Sequence, residues 1–252
     1  DEWEPILPLY HSTSNAQIQV TIFSDGTFSH AEVVDADDAK TIIPVTEDSG
    51  SRGNGILPNP LCDKLIYIAG DYSTYVAKAK SDADEYFVTY IKALKAWAES
   101  EYSDICITAI YDYLSKRMLI NDLIGDGILK LKGAVLDEEY KITKSAKQID
   151  SFVRFVVNDL DSGENIKVWK SKALFDKYIA YYEALGKERD CQLCYASGKI
   201  VPVTYKHMAR IRNGGDKAKL ISSNDKSNFT YRGRFANREE AFAVGEIVSQ
   251  KA

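Results

Sequence analysis

A chain of 252 residues, 45% hydrophobic and 27% charged, has globular composition and enough length for one large domain or two small ones. With 16 Tyr and 9 Phe it is too aromatic for a disordered segment, and no apolar run approaches the roughly 18 residues of a membrane helix. Four cysteines without a disulfide-framework spacing, and no signal peptide, point to a reducing cytosol, so a cytoplasmic protein is expected.

Asp1-Glu2-Trp3-Glu4 opens the chain without an initiator methionine, and Glu239–Ala252 reads as a helix with no glycine stop; a piece of a longer protein is expected. From Ala16 to Phe23 the residues alternate, with Ile18, Val20 and Ile22 on one face and Gln17, Gln19 and Thr21 on the other. Asp25-Gly26 supplies a turn, and Thr27–Val34 returns as the partner strand of a hairpin. Thr41–Val45 is a further short strand, placed at an edge by Pro44. Glu47–Pro60 is rich in Ser, Gly, Asn and Pro and reads as a loop, and Leu61–Ala69 as a short helix.

Helices dominate the middle. Phe87, Tyr90, Ile91, Leu94, Trp97 and Ala98 recur at helical spacing behind a capping box of Asp82 with Glu85. Ile107, Ile110, Tyr111 and Leu114 mark the next amphipathic helix, and both stripes read as core rather than as a cofactor site. Ser151–Val157 is a strand. Leu174, Phe175, Tyr178, Tyr182 and Leu185 form another helical stripe, stopped by Gly186. Strands and helices mix without regular βαβ alternation, so the predicted fold is α+β, with a mixed, mainly antiparallel sheet, hairpins and a central helical portion.

The usual catalytic constellations are missing. There are three histidines, His11, His30 and His207, with no G-x-S-x-G, no complete P-loop and no H-E-x-x-H. Asp37-Asp38 and Glu138-Glu139 are adjacent carboxylates whose side chains diverge on either a helix or a strand, and read as solvated surface. His11 beside Ser12 and Thr13 says little about a triad, because triads assemble in space. No active site is expected. Cys191-x-x-Cys194 followed by His207 offers three of the four ligands of a structural zinc; a hairpin with two buried reduced thiols is the alternative.

The net charge of −5 hides an asymmetry. Lys187–Arg234 holds eleven Lys/Arg against four Asp/Glu, a local charge of +7; with −1 from residues 235–252, the first 186 residues carry −11. An acidic body with one basic segment suits a protein that meets a polyanion at one place, although a basic segment packed on its own acidic body is the alternative. Gly214-Gly215 permits close backbone approach to a phosphate, and Lys206, Arg210, Arg212, Lys217, Lys219, Arg232 and Arg234 are the candidate phosphate contacts. Phe229 and Tyr231 interleave with arginines and suit either base stacking or the core.

Several blocks, in order, resemble the N-terminal part of the large subunit of the type I-C CRISPR surveillance complex, Cascade. They are Leu9-Tyr10-His11-Ser12-Thr13, the Asp25-Gly26 hairpin, Arg52-Gly53-Asn54-Gly55-Ile56-Leu57-Pro58-Asn59, and Asp63-Lys64-Leu65-Ile66-Tyr67-Ile68-Ala69-Gly70. Cys194-Tyr195-Ala196-Ser197-Gly198, His207, Ser223-Asn224, Phe229 and Tyr231-Arg232-Gly233 follow. The blocks span most of the chain, and the stretch from about Ser81 to Lys147 matches only loosely. The resemblance implies that residues 1–252 are the N-terminal domain of a longer subunit, with a helical insertion at about 73–147 and a C-terminal helical part lying outside this sequence.

It also implies a function: a non-catalytic, cofactor-free, cytoplasmic subunit that recognises the protospacer-adjacent motif on double-stranded target DNA and helps to start unwinding. Guide RNA then reads the sequence by pairing. The implied partners are target DNA, guide RNA, other Cascade subunits and the helicase-nuclease recruited to the full complex, with no membrane. Asn59 is the leading base-reading candidate, with Asn54, Arg52 and Ser51 beside it, because asparagine pairs with adenine in the major groove and donates to T and A acceptors in the minor. Asn224, Asn228 and Ser223 form a second loop that suits either reading or turn capping. The alternatives are a scaffold that docks neighbouring subunits and the 5′ end of the guide, and a small zinc-knuckle nucleic-acid-binding module.

Overall fold

The structure, a computed structural model, describes residues 7–50, 55–77, 79, 81–144, 146–186, 191–204, 207, 235 and 243–251. The chain forms two compact units. One comprises His11–Pro44 and Gly55–Tyr181; the other comprises Asp1–Tyr10, Val45–Asn54 and Tyr182–Ala252.

The first unit is built on a four-stranded sheet. Strands β2 (Ile18–Phe23) and β3 (Phe28–Val33) are the hairpin expected from alternation. The Asp25 carboxylate accepts the Thr27 N–H at 2.9 Å, and Gly26 takes the left-handed φ of +75° that the turn demands. A Cβ on Gly26 would also come within 2.8 Å of the Asp112 Cβ, so glycine is required twice over. On its other edge β2 pairs in parallel with β7 (Val153–Asn158), which pairs antiparallel with β8 (Asn165–Lys167), giving the order β3-β2-β7-β8.

The register opposes Ile18 to Val153, Val20 to Phe155 and Ile22 to Val157, and all six are fully buried. Each contributes about 1.5–3 kcal/mol by leaving water. Helix α5 (Ile105–Ser115) packs against β2 and β7, with Tyr113 stacked on Phe28 at 6.1 Å. The opposite sheet face is polar but also buried. Arg154, 2% exposed, donates to Gln19 Oε1 (3.0 Å), to the Asp38 carbonyl (2.6 Å) and to Asp38 Oδ2 (2.5 Å), and lies 3.8 Å from the Trp169 ring centroid. This hydrogen bond holds the Asp38 carboxyl below its ordinary range.

A separate ladder pairs β1 (His11–Asn15) with β4 (Lys40–Pro44). Pro44 is therefore on an edge strand, while β1, with its polar run, carries no strand signal in the sequence. His11 is 4% exposed with Phe175 and Tyr178 edge-on at 4.8 and 5.5 Å, a core position.

The remaining helices of this unit are α2 (Leu65–Ile68), α3 (Tyr72–Tyr75), α4 (Ala83–Ala98) and α6 (Leu119–Gly125); β5 (Leu131–Lys132) and β6 (Val135–Leu136) make a small hairpin. The stripe expected for α4 is buried at Phe87, Tyr90, Leu94 and Trp97. The capping box is not formed: Asp82 has near-helical angles (φ −101°, ψ 11°) that withhold its side chain, and the Glu85 N–H bonds the Asp82 carbonyl instead. Helix α7 (Lys172–Leu185) ends ahead of Gly186, as expected.

In the other unit, β9 (Cys191–Leu193), β10 (Ile200–Thr204) and β11 (Val244–Gly245) form a three-stranded antiparallel sheet, followed by helix α8 (Glu246–Lys251). Glu47–Gly50, expected as loop, is a single helical turn, α1. Thr46 and Ser49 explain it: each hydroxyl accepts the other's backbone N–H, at 2.9 and 3.1 Å. The α+β architecture with hairpins stands, with β2–β7 the parallel exception among the described residues.

Candidate nucleic-acid interface

Of the base-reading loop, Asn59 lies within the described residues; Ser51, Arg52 and Asn54 lie outside them. Asn59 is 5% exposed, so this conformation offers little of it to solvent. Its N–H donates to Asp63 Oδ2 at 2.8 Å, while Asp63 Oδ1 accepts the Lys64 N–H at 2.8 Å. Asp63 is itself fully buried. The adjoining chain is fixed by the Tyr90 hydroxyl on the Leu61 carbonyl (2.7 Å) and by the Val153 N–H on the Asp63 carbonyl (3.0 Å). A carboxylate accepting two backbone N–H groups in a dry site sets the loop's path. Sequence reading named Tyr90 only as helical core and Asp63 only within a block of resemblance, and gave neither a role in this loop; the available signal was an aspartate closing an Asn-Pro turn.

The phosphate candidates Lys206, Arg210, Arg212, Lys217, Lys219, Arg232 and Arg234, and the second loop Ser223, Asn224 and Asn228, all lie outside the described residues. The described residues flanking them are anchored. His207 is 3% exposed with its Nδ1 2.7 Å from Ser249 Oγ, and Ala243 and Val244 are buried. Thr204 donates to Glu47 Oε1 at 2.6 Å, and the Glu47 N–H donates to the Tyr182 hydroxyl at 2.9 Å. The Tyr10 N–H donates to Gln250 Oε1 at 2.6 Å.

Cys191 and Cys194 occupy different settings. Cys191 is exposed on β9, where two buried thiols were expected, because its side chain lies on the solvent face of the hairpin. Cys194 is fully buried beyond it, and its Sγ accepts the Gly245 N–H at 3.1 Å. The Ser197 hydroxyl and then this N–H draw its thiol down to about 7. Among the described residues no group of three or more His, Cys, Asp or Glu is placed to hold a metal ion, so Cys191, Cys194 and His207 are not gathered into a zinc site there.

The described residues thus form an α+β scaffold whose segments flanking the basic stretch are anchored. The family model for CRISPR-associated protein (Cas_Csd1) matches residues 1–252, and the chain belongs to that family. No match to a curated protein was found. Membership makes it a CRISPR-associated protein of Cascade type that works with other CRISPR-associated subunits. Among the described residues no helix is long and apolar enough to cross a membrane.

Proposed function

We propose that this chain is the N-terminal domain of the large subunit of a type I-C Cascade, non-catalytic and cytoplasmic. In this reading it recognises the protospacer-adjacent motif on duplex target DNA and helps to start the unwinding that lets guide RNA pair. The observation that carries the proposal is the family match over the whole chain. Supporting it are the +7 stretch for gripping phosphates and a loop, Gly55–Asn59, whose end is tied down by Asp63. In this division of labour the basic stretch holds backbone without reading it, and the Asn59 loop reads the tag. Guide RNA, other Cascade subunits and a helicase-nuclease are the proposed partners.

Because Asn59 is sheltered, reading by it requires the loop to turn its amide outward on engaging DNA; Gly55, at φ +117° with open space around it, is the natural pivot. Asn59→Ala should weaken binding to tag-bearing duplex by about 1–3 kcal/mol while sparing untagged duplex and guide assembly. Competition binding with tagged and untagged duplexes reads this directly, and equal losses on both would remove Asn59 from tag reading.

A further inference from the structure

The two edges of the four-stranded sheet differ. At β3 the outward Ala31 N–H donates to Asp126 Oδ2 at 2.5 Å, so a carboxylate at the end of α6 closes that edge. At β8 no such cap is present among the described residues.

The register of β8 shows which main-chain groups it turns outward. Ile166 opposes Val157. In phase with that pair, the Asp159 N–H donates to the Glu164 carbonyl at 2.9 Å and the Val168 N–H to the Phe155 carbonyl at 3.3 Å. An antiparallel pair exchanges hydrogen bonds only at alternate residues. Asn165 and Lys167 therefore direct their main-chain groups away from β7. The Lys170 N–H donates to the Lys167 carbonyl at 2.9 Å, which leaves the Asn165 N–H, the Asn165 carbonyl and the Lys167 N–H as the outward set. They border a cleft of about 410 Å³ lined by Glu164, Asn165, Ile166, Lys167, Lys170 and Ser171. Glu164, Asn165, Lys167 and Lys170 are exposed.

Geometry and charge select the occupant. Alternate residues of a strand offer amides and carbonyls roughly 6.8 Å apart, and another polypeptide strand repeats that spacing. Charge changes sign along the edge, from Glu164 to Lys167 and Lys170, so a partner of mixed charge suits it better than a polyanion. A second copy of β8 suits it poorly. Centred on Lys167 it opposes lysine to lysine, the usual guard against self-pairing, and centred on Asn165 it opposes Ile166 to Glu164. The register that sets Asn165 against Lys167 escapes both, but leaves the lysine without a carboxylate and sets Glu164 against Val168.

We propose that β8 takes up an extended segment of another polypeptide as a fifth, antiparallel strand. That segment carries a carboxylate opposite Lys167, an apolar residue opposite Ile166, a small polar residue opposite Asn165 and a cation opposite Glu164. In chain order its core is Glu-Val-Thr-Lys or a close equivalent. Asn165 exchanges both main-chain bonds with the threonine, and the Lys167 N–H donates to the glutamate carbonyl. The proposal stands apart from tag reading and uses no residue of the basic stretch.

The test uses the 252-residue chain and a fluorescent, end-capped peptide of about eight residues built on that core, read by anisotropy. Exchanging the glutamate and lysine of the peptide should weaken binding by about fivefold. Methylating the threonine amide deletes one strand–strand hydrogen bond, keeps every side chain, and should weaken binding by about tenfold. Lys167→Glu should weaken binding of the first peptide and strengthen binding of one with lysine in place of its glutamate. Asn165→Pro removes an outward N–H, a change an edge strand tolerates, and should weaken both. Melting temperatures of the two variants are checked alongside, and the altered peptides decide the matter on the parent chain alone. The proposal is overturned if the parent does not bind the peptide at millimolar concentration, if the methylated and exchanged peptides bind like the first, or if Lys167→Glu leaves the preference unchanged. A parental dimer lost in Asn165→Pro assigns the edge to a second copy, and Lys167-dependent binding of an oligonucleotide without binding of the peptide assigns it to a polyanion; both overturn it. Failure of tag reading shows separately, in the Asn59→Ala comparison on duplexes.

Discussion

Burial drives the Cys62 thiol up to about 12 and pushes Cys106 up as well, whereas Cys194 falls from 9.0 to about 7. The difference is the set of donors around each sulfur. The Ser197 hydroxyl and the Gly245 N–H point at Cys194 and favour its thiolate over its thiol. An acid whose folded pKa lies below its unfolded value adds stability as the anion. The Cys194 contribution is therefore complete above pH 9 and is lost as pH falls through about 7. The melting temperature of the parent should climb between these values relative to that of Cys194→Ser. Parallel pH profiles for parent and variant would show that the donors do not favour the anion.

At the scale of elements, helix α6 shows how much of this fold is held by residues distant in sequence. Met118 at its N-cap supplies no side-chain acceptor. The acceptor comes from Asp71, whose two carboxylate oxygens take the Ile120 and Asn121 N–H groups at 3.2 and 3.0 Å. Desolvation raises this carboxyl's pKa, and the two N–H groups oppose that rise. Asp71→Ala should cost about 1 kcal/mol of stability, as loss of an N-cap does, and should speed amide exchange at Ile120 and Asn121 ahead of the rest of the helix. Unchanged exchange there would mean that water replaces the carboxylate without loss. Such a cap has no local signature, and the same limit marks what the sequence conveyed elsewhere. The β2–β3 hairpin was legible because alternation and Asp25-Gly26 are adjacent signals, and α4, α5 and α7 because three- and four-residue spacing repeats for several turns. Strand β1 was not, because His11-Ser12-Thr13-Ser14-Asn15 takes its extended form from pairing with β4. Nor was the parallel pairing of Ile18 with Val153, which no short-range pattern encodes. For the candidate sites, charge flagged Lys187–Arg234, but the outward amides of Asn165 and Lys167 depend on a register that a three-residue strand is too short to display as a period.

Over the whole molecule the charge is −5 and the pI about 5.4, values that argue against DNA binding if net charge governs it. In the proposed function local charge governs it instead. At physiological ionic strength the screening length is about 8 Å, so a phosphate responds to charges within one or two side chains of it. In the proposed reading, phosphates held by the +7 stretch answer to its own cations, and the −11 of the first 186 residues discourages binding elsewhere on the chain. This reading distinguishes position from total charge. Replacing Lys217 and Lys219 together by alanine removes two proposed phosphate contacts and should flatten the plot of log affinity against log salt by about 1.8, with tagged and untagged duplex weakened alike. Replacing Lys92 and Lys95 on α4 changes the net charge by the same amount within the acidic body, and should leave the slope at its parental value. A titration of affinity from low to physiological salt separates the outcomes. Equal flattening by both pairs would mean that total charge sets binding, and an unchanged slope in the first pair would take Lys217 and Lys219 off the phosphate path.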